Sequence, residues 1–236
     1  MAQKKRQLTL TAELVARVER MEPDPGPDPG TSDHTEAEYD AVVEALRSEY
    51  KPDELWVFAY GSLIWNPEFE SLESRSATAG GWHRSFCLKL TRWRGTRELP
   101  ALMLALDRGG SCKGVAYRLP AKDHFGQIGL LVRRELDANP PTNVPRWISV
   151  KTKGGTLRAL TFVADPEGRA YAGRLSLERV AHVLARAAGH WGSTAQYLFR
   201  TVTMLEQHGI RDRNLWRIQS LVAQEIEAAS FVAKRS

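Results

Sequence analysis

Cysteine is scarce in this chain: Cys87 and Cys112 are the only two among 236 residues, too few for a disulfide framework. No apolar run approaches the roughly 20 residues needed to span a bilayer. The basic start Met1-Ala2-Gln3-Lys4-Lys5-Arg6 is not followed by the apolar stretch of a secretory signal. These absences point to a cytoplasmic protein without a membrane partner. The six histidines, at 34, 83, 124, 182, 190 and 208, form no close metal-ligand pair, so no metal is expected. His83 and His182 read as ordinary packed or surface residues. Gly109-Gly110-Ser111-Cys112-Lys113-Gly114 is followed by Val115-Ala116, where a phosphate loop needs Lys and Ser or Thr. Ser62 is not a nucleophile elbow, because Tyr60 and Ile64 stand where that motif requires glycine. No dinucleotide fingerprint is present. The expectation is an activity with no metal, no cofactor and no serine triad.

Charge is present but unevenly placed. Residues 1–50 carry 6 Lys/Arg against 11 Asp/Glu, and the rest of the chain carries 27 against 17. A basic body attracts anions. Without an RNA-binding motif, helix-turn-helix or zinc signature, no nucleic acid is expected, and a small carboxylate-bearing substrate fits better. The length suits one domain with an appended arm. The boundaries are an acidic, partly helical arm over 1–50 and a single domain over 51–236.

Within the arm, Thr11 to Met21 reads as a short helix with Leu14, Val15 and Val18 on one face. Pro23-Asp24-Pro25-Gly26-Pro27-Asp28-Pro29-Gly30 reads as a semi-rigid linker. Thr35-x-x-Glu38 offers a capping box for a helix carrying Tyr39, Val42, Val43, Leu46 and Tyr50, closed by Lys51-Pro52. The character then turns to β, with strands expected at 55–60, 85–90, 102–106, 114–119, 146–152 and 157–163. A hairpin is expected at Lys153-Gly154-Gly155-Thr156. A helix over Lys122 to Glu135 carries Ile128, Leu131 and Val132 on one face, weakened by Gly126 and Gly129. The last third is helical. Ser176 caps a run ending at Gly189, Ser193 caps a second ending at Gly209, and a third covers about Asn214 to Ala229. Strands first and helices after give an α+β class, with helices flanking a mostly antiparallel, barrel-like sheet.

Two places carry chemistry. Val57 to Trp65 reads as a buried strand, a tight Tyr60-Gly61-Ser62 turn and a second apolar run. Gly61 permits a positive φ and a close approach of ligand to backbone. Ser62 adds a hydroxyl and an N–H. The other place is Glu135, after Arg133-Arg134 at a helix C-terminus. Taken alone, such a run is a solvated charge cluster, and the arginines suit the dipole. A carboxylate there faces the negative end of the dipole, which raises its proton affinity, as burial does. Nearby arginines oppose that shift. A carboxylate so tuned suits general acid–base catalysis.

Tyr60-Gly61-Ser62-Leu63-Ile64-Trp65, Gly81-Trp82-His83-Arg84-Ser85-Phe86, the run from Leu104 to Cys112, and Gly114-Val115-Ala116-Tyr117-Arg118-Leu119 resemble the ChaC-type gamma-glutamylcyclotransferases. The resemblance continues through Arg133-Arg134-Glu135, Pro145-Arg146-Trp147 and Ala195-Gln196-Tyr197-Leu198. It covers about residues 55 to 226 and implies a small mixed β-barrel with flanking helices. It implies a γ-glutamyl substrate, typically glutathione, split to 5-oxoproline and Cys-Gly without a cofactor. It implies that Glu135 is catalytic and that Ala59, Tyr60, Gly61, Ser62, Leu63 and Ile64 bind the γ-glutamyl part. Tyr197 is then a candidate for the substrate carboxylate, and equally a core aromatic. The turn's N–H groups face either an oxyanion or the α-carboxylate. Other γ-glutamyl amides, or a binding module without chemistry, are the alternatives. Ala59 and Thr194 stand where the family more often has Gly and Asn, and Leu136 to Val144 lacks the expected aromatic.

Overall fold

The computed structural model describes residues 7–136 and 138–233; the basic start Met1–Arg6 lies outside them. The chain divides into two compact units. One holds residues up to Pro25, Leu90–Leu102 and everything from Leu175, and the other holds Gly26–Lys89 and Met103–Arg174. The first fifty residues are thus divided between both units.

The second unit is built on a closed five-stranded barrel. Its strands are β1 (Trp56–Ala59), β2 (Glu73–Leu90), β3 (Ala101–Arg118), β4 (Asn143–Thr152) and β5 (Gly155–Ala164), in the order β1-β3-β2-β4-β5. β1 runs antiparallel to β3, pairing Ala59 with Val115, and closes the barrel against β5 in parallel at Val57 and Leu160. The sheet is therefore mixed. All four residues of β1 are buried, as suits a strand flanked on both faces. Thr161 satisfies its buried hydroxyl by donating to Phe58 O at 2.8 Å. The Lys153-Gly154 turn joins β4 to β5 as expected, with Gly155 at φ 118°.

Two strands are longer than expected. β2 begins at Glu73, because its polar first half still pairs with β4 through Ala77, Thr78 and Ala79. β3 is one strand where two were expected. Gly109 and Gly110 take φ of 100° and 70°, so they deform the strand without ending it.

The first helix, α1 (Ala12–Ala16), belongs to the other unit, and two helices longer than one turn flank this unit's barrel. α2 (Glu36–Glu49) starts at the foreseen capping box, Thr35 Oγ1 accepting from Glu38 N while Glu38 Oε2 accepts from Thr35 N at 2.7 Å. It meets β4 where Trp147 Nε1 donates to Leu46 O at 3.1 Å. After the one-turn α3 (Ser62–Trp65) comes α4 (His124–Glu135). Only the first of its two glycines is required by close approach: Gly126 N is capped by Asp123 Oδ1 at 3.1 Å, and a Cβ there would run into Asp123 Oδ2, whereas a Cβ at Gly129 would meet only the end of Arg133 and, in ordinary contact, Val43 of α2.

The helical unit contains α1 (Ala12–Ala16), α5 (Leu177–Leu184), the two-residue strands β6 (Ala188–Gly189) and β7 (Gly192–Ser193), α6 (Thr194–Gln207) and α7 (Arg213–Ala233). The caps Thr11, Ser176 and Ser193 are all in place. α1 is shorter than the expected run to Met21, and α5 stops at Leu184 rather than near Gly189, because Ala188–Gly189 pairs with β7. Leu184, Leu198 and Leu205 are fully buried, at about 1.5–3 kcal/mol each. Leu10 N donates to Gln219 Oε1 at 2.8 Å, tying the start of the chain to α7. Among the described residues no helix is long and apolar enough to cross a membrane.

Candidate active site

Ala59 ends β1 fully buried, and Tyr60 is 7% exposed. The backbone then turns through Gly61 into α3, with Ile64 N donating to Gly61 O at 3.0 Å and Asn66 N to Ser62 O at 2.8 Å. The second apolar run, to which the sequence assigns no element, is a single helical turn. One expectation is corrected here: Gly61 takes φ −138° and ψ −124°, not a positive φ. Three or four apolar residues carry too little periodicity to separate strand from helix. Leu63 and Ile64 are buried at 4% and 5% exposure, and Ser62 is half-buried. Ser62 and Leu63 occupy the first turn of α3, whose N–H groups point away from intrahelical acceptors.

The turn is held from β2 and β3. Arg84, 6% exposed, donates through Nε to Tyr60 O at 2.7 Å and through Nη2 to Lys113 O. A buried guanidinium thus clamps the carbonyl of the residue that opens the turn. Gly114 lets β3 approach β1, since a Cβ there would lie 2.6 Å from Phe58 Cζ and nearer still to Ala59 O. Neither residue is marked out by the sequence motifs. For Arg84 a signal was available: Trp82, Arg84 and Phe86 alternate onto one buried face, and a charge on such a face requires partners. For Gly114 only the fold reveals the neighbour.

Glu135 is the last residue of α4, where Leu136 N closes the helix onto Val132 O at 2.9 Å. Its side chain is 15% exposed and its Oε1 lies 3.1 Å from Arg134 Nε. An arginine is therefore in ion-pair contact with the carboxylate. Arg134, also 15% exposed, reaches Glu68 Oε2 at 3.6 Å, in the segment that follows α3. Arg133 turns the other way, donating to Glu36 Oε2 at 2.5 Å with its guanidinium 5.3 Å from the Tyr39 ring centroid. Both arginines are committed to partners, so the cluster is not a merely solvated helix end. The structure brings Ala59–Ile64 and Glu135 into one unit.

Tyr197 belongs to the helical unit. It is 3% exposed on α6, with the Arg94 guanidinium 5.4 Å from its ring centroid. Arg94 is itself buried and donates to Ser193 O at 3.1 Å. Burial lowers the proton affinity of its guanidinium. Thr194 spends its hydroxyl on Leu184 O and Ala187 O, at 3.0 and 2.9 Å. Among the described residues no group of three His, Cys, Asp or Glu could hold a metal ion.

Comparison with known proteins places this geometry. The chain is 40% identical over 182 residues to the glutathione-specific gamma-glutamylcyclotransferase of Escherichia coli (strain K12), covering 76% of this chain and 78% of that protein. It is 29% identical over 166 residues to glutathione-specific gamma-glutamylcyclotransferase 1 of Homo sapiens, covering 69% and 75%. A crystal structure of a yeast gamma-glutamyl cyclotransferase specific to glutathione shares the fold, with TM-score 0.66 at 20% identity over 74% of this chain and 97% of that one. Residues 55–225 match the family described as ChaC-like protein, and the chain belongs to that family.

Proposed function

We propose that this protein is a gamma-glutamylcyclotransferase acting on glutathione in the cytoplasm, without cofactor. The observation that carries the reading is the 40% identity to a relative named for that activity, in a chain that keeps Glu135 three-quarters or more buried beside one arginine. The chemistry is intramolecular. The α-amine of the γ-glutamyl group attacks the γ-carbonyl, a C–N bond forms to close the five-membered lactam, and the amide C–N bond to cysteine breaks. Glu135 takes the proton from the attacking amine and returns it to the departing nitrogen, so 5-oxoproline and Cys-Gly leave with protons balanced.

Holding amine and carbonyl in a near-attack pose supplies much of the rate, since effective molarities reach about 10⁵ M or more in well-oriented cases. In this reading the Ala59–Ile64 segment holds the γ-glutamyl part, with backbone N–H groups as donors to its charged or developing oxygens. Residues 51–236 carry the chemistry, and residues 1–50 support it. The test is turnover of glutathione against γ-glutamyl-alanine and γ-glutamyl-lysine. Glutathione is expected to be the preferred substrate by kcat/KM, and equal or better turnover of the others overturns the specificity.

A further inference from the structure

We infer that the acidic segment Ser32–Asp40 is a clamp that positions Glu135 for proton transfer, a reading that rests on the proposed function. The family match begins only at residue 55, so this segment lies outside what the family assigns. It engages the chain on both sides of Glu135. On the helix side, Arg133 donates to Glu36 Oε2 at 2.5 Å, lies 3.8 Å from Asp40 Oδ1 and stacks on Tyr39. On the far side, Asn139 and Ser32 exchange two backbone hydrogen bonds, Asn139 N to Ser32 O at 2.8 Å and Ser32 N to Asn139 O at 3.1 Å. Asn139 Nδ2 also donates to Glu38 Oε1 at 2.5 Å.

Glu38 is the pivot. Its Oε2 accepts from Thr35 N and Oγ1 in the capping box, leaving Oε1 for Asn139. The same carboxylate therefore fixes the start of α2 and the chain four residues past Glu135. Glu36 and Glu38 both hold their protons less tightly than an ordinary carboxyl, Glu36 chiefly through Arg133 and Glu38 chiefly through Thr35, so both are ionised at neutral pH. A carboxylate used for proton transfer must be placed to a fraction of an ångström. Glu135 ends a helix, where the backbone is least constrained from within. Fastening residues 133 and 139 to one rigid, capped helix start supplies that constraint from outside.

The test uses the full-length protein and reverses one hydrogen bond. Asn139→Asp is nearly isosteric and leaves the capping box untouched, but it sets two carboxylates against each other. Adding Glu38→Gln restores a donor–acceptor pair, because the glutamine oxygen can still accept from Thr35 while its amide donates to the new carboxylate. The N139D variant is expected to lose about tenfold in kcat with KM within about twofold, the pattern of a defect confined to the transition state. The N139D/E38Q double variant is expected to recover to within about threefold of the parent. Parent protein that releases no 5-oxoproline refutes the functional reading and the clamp with it. An active parent whose folded N139D variant keeps its kcat, or loses it without recovery in the double variant, refutes the clamp alone.

Discussion

Replacing Gly114 by alanine probes the link between the barrel and the Tyr60–Ile64 turn, which is proposed to hold the substrate. The added methyl would lie 2.6 Å from Phe58 Cζ and closer to Ala59 O, where ordinary contact needs about 3.4–4 Å. Phe58 is fully buried and cannot swing aside. β1 must instead retreat by about 1 Å, and Ala59 leads directly into Tyr60–Ile64. Overpacking of this kind costs about 1–3 kcal/mol, which lowers the melting temperature by about 2–4 °C per kcal/mol in a chain this long. A 1 Å misplacement of a substrate-positioning segment costs up to about 100-fold in rate. The assay is thermal unfolding with kcat/KM for 5-oxoproline release, alongside Gly80→Ala as control. A Cβ at Gly80 meets nothing within 4 Å, so that variant should leave both quantities unchanged. Parent-like melting and turnover in G114A would show that the turn does not depend on the close approach of β3 to β1, as would equal losses in both variants.

Arg84→Met removes the hydrogen bonds that the guanidinium donates to Tyr60 O and Lys113 O, at about 1.5–3 kcal/mol for a bond from a charged group; a drop in melting temperature with reduced kcat/KM is expected, partly rescued by lysine, and an unaltered enzyme contradicts the clamp on Tyr60. Cys87 is fully buried, and burial together with the charge of Asp107 pushes its thiol up to about 12, so at pH 8 it is neutral and shielded. With Cys112 1% exposed and neither cysteine in a disulfide, a thiol reagent should label neither in the native protein and both in denaturant; rapid labelling of one thiol per native chain contradicts this. Deleting residues 1–50 removes Leu10, Leu14, Val15 and Leu46, all at most 6% exposed, at about 1.5–3 kcal/mol each. That is comparable to a whole domain's stability of about 5–15 kcal/mol, so the truncated chain should fail to fold at 37 °C; a cooperative transition at the parent temperature would contradict it.

Local chemistry was the most legible part of the sequence. Thr35 with Glu38, Ser176 and Ser193 start helices where they were expected, because a cap is satisfied within four residues of itself. The first half of β2 escaped notice because Glu73–Gly81 is mostly polar and glycine-bearing; its partner β4 lies some 70 residues on, and pairing rather than propensity makes it a strand. Gly109-Gly110 looked like a chain break and is a deformation inside β3. Leu63-Ile64-Trp65 was too short to show a period. At the site, Glu135 and the Tyr60–Ile64 turn rest on ordered motifs, and no rule of spacing alone would have selected them. Arg84, Gly114 and the Ser32–Asn139 bridge join residues 24 or more apart, so their partners emerge only once the barrel is closed.

One carboxylate, Glu135, is proposed to move the proton in an intramolecular cleavage of glutathione. Incubating the protein with glutathione and quantifying 5-oxoproline and Cys-Gly, for the parent and for Glu135→Gln, tests it directly. Equimolar release of both products is expected from the parent, and none above background from an E135Q variant that melts as the parent does. Intact glutathione with the parent, or undiminished release by E135Q, would contradict it.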